Sequence, residues 1–453
     1  MTSAYAPSIL RNALCHASEA YNQKKNLPMK KLSMKKRRLL AVMLFALAVL
    51  PNSAKSNSIE RAFSFQSGSY TYYTDYLDIA LVKANSGSTI LVRNSTGYLF
   101  GYEDYNTSYT PDYYYYSSGG TSYTAYYNGN YVSNGYVDNK SLTIESSNGT
   151  QTISRYPGFE FYCIYLKNTA SLTIKNVIFD GKNIATGYPI IGFDENAGAG
   201  NKSINIYNCT FKNCNRTGKT ICGNGGAISM YNPSNGTGSL YCENVVFENN
   251  KFMVPNFDYY IGNKTVFGGG AVAVQNRVNA NFVSCEFYKN ESADAGGAIF
   301  LFGAGNVTIN NCTIGAFNAG NKACIAGGGV YATLVSNKEF SIINRTKIQY
   351  NRLDQRSGGP KELGNGGGIY IIGSNATNTN FIIGDENGGN MYESEAAMVQ
   401  ISNNYARGGG GGITLWCDRT ATTVKMQNFL IENNEGDDIS TPYYWSTPEN
   451  SSL

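Results

Sequence analysis

The residues suited to acid–base chemistry are few and scattered. Asp180, Asp194, Asp294 and Asp385 are acids scattered along the chain, and Asp437-Asp438 is the only adjacent aspartate pair. Cleaving a polysaccharide needs two carboxylates facing one bond, or a calcium cluster beside a basic residue. The single histidine, His16, lies ahead of an export signal, so the mature chain cannot use it as a proton carrier. Ten cysteines are present, nine of them beyond that signal, and an odd number does not make a complete disulfide framework. Cys209, Cys242, Cys285 and Cys312 fall at inward strand positions, where a thiol packs as a small apolar group. Cys214 and Cys222 are the pair best placed for a bridge. No C-x-x-C pair and no GGxGxD occurs, so neither a metal nor a cofactor is expected. The run Tyr113-Tyr114-Tyr115-Tyr116 offers amphipathic contact area for a ligand, or is a surface loop of biased composition. An enzyme is not expected. A β-helical polysaccharide lyase or glycoside hydrolase is the alternative.

Charge and hydropathy place the chain outside the cell. Residues 1–56 hold ten of the 36 basic residues and one of the 32 acids, so the remaining 26 and 31 leave a net charge of −5. No basic run remains for nucleic acid. Met34-Lys35-Lys36-Arg37-Arg38 reads as a positive n-region, Leu39 to Leu50 as an apolar h-region, and Ala54-Lys55-Ser56 as a cleavage site. Twelve apolar residues are too few to cross about 30 Å of hydrocarbon as a helix. An extracellular or surface location, with no membrane span after cleavage, is therefore expected.

An internal repeat dominates the rest. Asn176-Val-Ile-Phe179, Asn208-Cys-Thr-Phe211, Asn244-Val-Val-Phe247, Ser284-Cys-Glu-Phe287 and Asn311-Cys-Thr-Ile314 share one pattern. Looser copies end at Ile348, Ile401 and Ile431, and successive anchors lie 27 to 53 residues apart. Seven and five residues before each of the first five anchors sit apolar residues, such as Leu172 and Ile174 or Ile204 and Ile206. That alternation marks a half-buried strand. Its phase slips by one at the asparagine, so both halves stay inward only if the chain turns a corner there. Asparagine tolerates the left-handed backbone such a corner needs.

Six glycine-rich strand starts recur, each following an anchor. Gly225-Gly226-Ala227-Ile228, Gly269-Gly270-Ala271-Val272 and Gly296-Gly297-Ala298-Ile299 are close copies, and three more begin at Gly327, Gly366 and Gly410. A flexible linker would not keep an apolar residue at the same offset six times. Short alternating runs rich in Asn and Gly disfavour helix. The expectation is an all-β, right-handed, single-stranded parallel β-helix of nine or ten rungs, with equivalent side chains stacked and insertions leaving at corners.

These motifs resemble the polymorphic outer membrane protein repeat of chlamydiae, which pairs GGA[ILV] with Phe-x-x-Asn. Phe247-Glu-Asn-Asn250 and Phe287-Tyr-Lys-Asn290 match the second motif, and Ile348, Ile401 and Ile431 head variants ending at Asn351, Asn404 and Asn434. The resemblance covers roughly 170–435 and implies a surface-exposed adhesive passenger, with a host-cell surface or a glycan as partner. That family usually carries a C-terminal barrel, for which the residues after Asn434 leave no room; release, truncation or another anchor all stay open. The expected organisation is a signal region over 1–56, a cap and Tyr-rich insertion over 57–140, repeats over 141–435 and a flexible tail over 436–453. Tyr76 to Leu81 is expected to plug the first rung, since an open end would expose core and strand edges.

Overall fold

The computed structural model describes residues 61–97, 113–118, 121–126, 135–155, 164–194, 196–217, 224–232, 236–253, 267–354, 365–373, 377–384, 398–417, 422–436 and 438–440. All lie in one compact unit, 58–453. Residues 1–56, expected to hold an export signal, fall outside them.

The chain is all-β and built from long stacks of parallel strands in four sheets. One repeat shows the route. Lys202–Tyr207 belongs to a fourteen-stranded sheet, Thr210–Lys212 to a nine-stranded one, Asn215–Arg216 to a seven-stranded one and Ile228–Tyr231 to a ten-stranded one. The chain then re-enters the first sheet at Gly238–Glu243, hydrogen-bonded beside Lys202–Tyr207. Ten strands of the first sheet pair in parallel this way, from Thr89–Val92 to Thr422–Met426.

The pairing register explains the repeat. Leu172 leads one column of successive pairs through Ile204, Leu240, Ala280, Val307, Phe340 and Phe381, and Ile174 leads a second through Ile206, Cys242, Phe282, Ile309 and Ile342. A one-residue slip in any strand would turn its apolar set outward. The corner asparagines hold the phase: Asn176, Asn208, Asn244 and Asn311 have φ of 56°, 52°, 54° and 54°, and Ser284 has 51°. In the Ile348 repeat the left-handed residue is Asn344 (φ 53°), one position earlier than the pattern predicts. Buried Thr346 fills the extra step, accepting the Cys312 N–H at 3.2 Å and donating to the Ile343 carbonyl at 2.8 Å.

Both ends carry elements of their own. The segment Tyr76 to Leu81, expected to plug the first rung, falls at a short α-helix, Leu77–Lys83, with Leu77, Ala80 and Leu81 buried. Lys140 Nζ caps its last turn by donating to the Val82 and Ala84 carbonyls at 3.1 and 3.2 Å, groups that a helix end leaves without internal partners. The Tyr-rich stretch is not simply a loop. Tyr113–Ser118 and Thr121–Tyr126 pair antiparallel and extend the first sheet through Tyr70–Thr74. At the other end the repeats run past 435, because Ile439–Ser440 pairs in parallel with Ile413 and Thr414. Backbone pairing thus continues to Ser440, and residues 441–453 of the expected tail lie outside the described residues.

Candidate functional site: the asparagine row and the lateral groove

The repeat residues divide into two internal devices. The first is the aromatic column. Phe179, Phe211, Phe247 and Phe287 are fully buried, with successive ring centroids 5.0, 5.4 and 4.8 Å apart and planes within 16°. Each such pair contributes about 0.5–1.5 kcal/mol beyond burial itself.

The second device is a row of asparagines. Asn250, Asn290, Asn321, Asn351 and Asn404 are buried, and Asn434 continues the row. Each Nδ2 donates to the anchor carbonyl one repeat back, from Phe211 through Ile401, at 2.8–2.9 Å. Each also donates forward to the next side-chain oxygen, at 2.9–3.0 Å. Each Oδ1 in turn accepts the backbone N–H of the preceding row member, beginning with Cys214 N–H to Asn250 at 3.2 Å. Every donor and acceptor of a mid-row carboxamide is satisfied, which is what lets a polar side chain sit in a core.

The glycines bring the backbones together. Gly225, Gly269, Gly296, Gly327, Gly366 and Gly410 have φ between 59° and 100°. A Cβ on Gly226, Gly270, Gly297 or Gly328 would collide with the carbonyl oxygen of the equivalent glycine one repeat on. Ala227, Ala298 and Ile228 begin the inward face of the ten-stranded sheet and are fully buried.

The cysteines are core residues. Cys209, Cys242, Cys285 and Cys312 are buried free thiols, and Cys285 N–H donates to Cys312 Sγ at 3.3 Å. Burial pushes the Cys209 thiol up to about 12 and holds Cys242 and Cys285 far above the ordinary value. Cys214 is buried at the head of the asparagine row, and Cys222 lies outside the described residues.

Of the scattered acids, Asp180 sits at a turn. Asp180 accepts from Lys182 N–H at 2.9 Å and Asn213 Nδ2 at 3.1 Å, and pairs with Lys182 Nζ at 3.2 Å. Burial pushes its carboxyl up, but these bonds and the ammonium together hold it below the ordinary value. Asp194 is buried, accepting the Tyr165 hydroxyl at 2.6 Å and Asn196 N–H at 2.8 Å; Asp294 is buried too. Asp385 and Asp437 lie outside the described residues, whereas Asp438 accepts from Asn434. Among the described residues no group of three or more His, Cys, Asp or Glu could hold a metal, and no helix is long and apolar enough to cross a membrane.

The outward face of the first sheet carries the feature that sequence reasoning missed. A groove of about 340 Å³ is lined by Ser141, Thr169, Ser171, Asn201, Ser203 and Ser239, among others. Its serines form one column, since Ser141 pairs with Ser171, Ser171 with Ser203 and Ser203 with Ser239. Ser203 Oγ donates to Ser171 Oγ at 2.9 Å, and Thr237 Oγ1 donates to Asn201 Oδ1 at 2.7 Å. Lys140 and Lys202 border the groove but turn their ammonium groups into carbonyls. Lys202 Nζ donates to Gly198 and Gly200 at 2.6 and 2.8 Å, and burial lowers its basicity. The signal was present in the sequence: Ser171, Ser203 and Ser239 each stand eight residues before an anchor. Polar outward positions carry no periodicity of their own, so it is easily passed over.

Comparison with family models, curated proteins and solved structures returns no match.

Proposed function

We propose that the chain is an exported, right-handed, single-stranded parallel β-helix with closed repeats. It acts at or beyond the cell surface as an adhesin-like passenger, in the manner implied by its resemblance to polymorphic outer membrane protein repeats. One observation carries the reading. The connections 218–223, 254–266 and 355–364 all fall between a two-residue strand of the seven-stranded sheet and the following strand of the ten-stranded sheet. The inward columns continue in register across all three. A stack that keeps its register while its connections vary in length, as between 383 and 399 as well, suits a display scaffold, because binding residues concentrate on loops held by such frames. The basic and apolar run at 35–50 supports export.

The test has two arms. Cells making the full chain are fractionated, and the purified protein is applied to host-cell monolayers beside a variant with the three connections replaced by short Gly-Ser links. Surface or released protein that attaches more strongly than the variant supports the proposal. Retention inside the producing cell, or equal attachment, overturns it.

A further inference from the structure

The groove and an aromatic pair share one face of the first sheet. Ser239 and Tyr241 alternate outward on the same strand, about 7 Å apart at the usual rise per residue. Tyr207 lies on the neighbouring strand, and its ring is 5.6 Å from that of Tyr241, tilted by 45°. Tyr241 donates its hydroxyl to Glu243 Oε2 at 2.9 Å, which fixes the ring.

The groove presents hydroxyls and carboxamides, while Lys140 and Lys202 at its border direct their ammonium donors to backbone carbonyls. A carboxylated or sulfated polymer would find no ammonium N–H directed at it, since those of Lys140 and Lys202 are engaged by the backbone, and so little to offset its lost hydration. A neutral polyol exchanges water hydrogen bonds for hydroxyl and amide bonds at little cost, and the C–H face of a sugar ring packs on an aromatic ring. The serine column repeats at the strand spacing of about 4.8 Å, close to the advance per residue of an extended glycan. The same contact can therefore recur along a chain lying across the strands.

We propose that the groove beside Tyr207 and Tyr241 binds an uncharged, extended oligosaccharide laid along the serine column. This deepens the attachment reading above and rests on it for its setting, but moves the contact from the connections to a strand face.

The test is calorimetric titration of the full chain with neutral β-linked glucose and mannose hexasaccharides, their disaccharides, and hexagalacturonate. At least one neutral hexasaccharide should bind more tightly than its disaccharide and than hexagalacturonate. Tyr241→Ala, and Ser203→Gln to fill the groove, should each weaken it about tenfold, the scale of one lost aromatic contact. Phe317→Ala, removing an exposed ring outside the groove, should leave binding unchanged, and circular dichroism should show each variant folded. Binding of neither neutral hexasaccharide, no dependence on length, preference for hexagalacturonate, or unaltered binding by both groove variants overturns the assignment. Attachment through the connections is read separately on host cells, so the two failures are distinguishable.

Discussion

The Asn434 carboxamide donates to Asp438 Oδ1 at 2.9 Å, so the row of buried asparagines ends on a carboxylate. All the forward bonds point the same way, and the final donor meets a charged acceptor, the stronger kind of partner. Removing a member from the middle should therefore cost more than altering the end. Asn321→Leu strips partners from Asn290 Nδ2, from its N–H and from the Phe287 carbonyl. A loss of about 3 kcal/mol is expected, against about 1 kcal/mol or less for Asp438→Asn, which keeps an acceptor. Urea midpoints of the two variants check this; equal shifts would contradict it.

Phe247 sits between Phe211 and Phe287. Phe247→Ala opens a cavity that parallel strands on both sides cannot collapse into, with an expected cost of about 3–5 kcal/mol. Phe247→Leu should cost clearly less, because four anchors in the same column are isoleucine (Ile314, Ile348, Ile401 and Ile431). Thermal melts followed by circular dichroism distinguish the two.

Two glycines should behave oppositely. At Gly297 a Cβ would strike the Gly328 carbonyl oxygen, so Gly297→Ala should abolish soluble expression or lower the melting point severely. Gly149 has φ of 62° with open space around it. Gly149→Ala carries only the left-handed backbone cost of about 1 kcal/mol, and expression yield should be unaffected.

The core thiols should be chemically silent in the folded chain. Thiolate is the reactive form, and burial keeps Cys209, Cys242, Cys285 and Cys417 protonated at neutral pH. Iodoacetamide at neutral pH, followed by peptide mass spectrometry, should label these four only after denaturant is added. Rapid native labelling of Cys285 would refute their packing.

Asp180 sets an acid-sensitive contribution. Its folded carboxyl titrates below the ordinary value, so its stabilisation is fully present above the unfolded value near 3.9 and is lost as pH falls through the folded one. Wild type should lose stability more steeply than Asp180→Asn on descending from about pH 5. Parallel curves in an acid titration of unfolding midpoints would remove Asp180 from the account.

The parallel stacks were legible because burial repeats at fixed offsets. The left-handed corners at Asn176, Asn208, Asn244 and Asn311 and the column from Phe179 to Ile314 follow directly from the anchor pattern. Asn321 escaped because Gly315 to Gly320 intervene between it and Ile314, so no Phe-x-x-Asn spacing remains. Its side chain nevertheless meets Asn290 and Asn351. The seven-stranded sheet was invisible because its strands are two residues long, below any periodic signal. The groove was missed for a different reason: its residues face solvent, where sequence obeys recognition rather than packing.

The one-way asparagine row has an evolutionary consequence. A newly duplicated repeat brings one carboxamide that receives from the copy before it and gives to the copy after it, without altering either. Such a molecule can lengthen or shorten by whole units while its ends and its internal chemistry stay as they were.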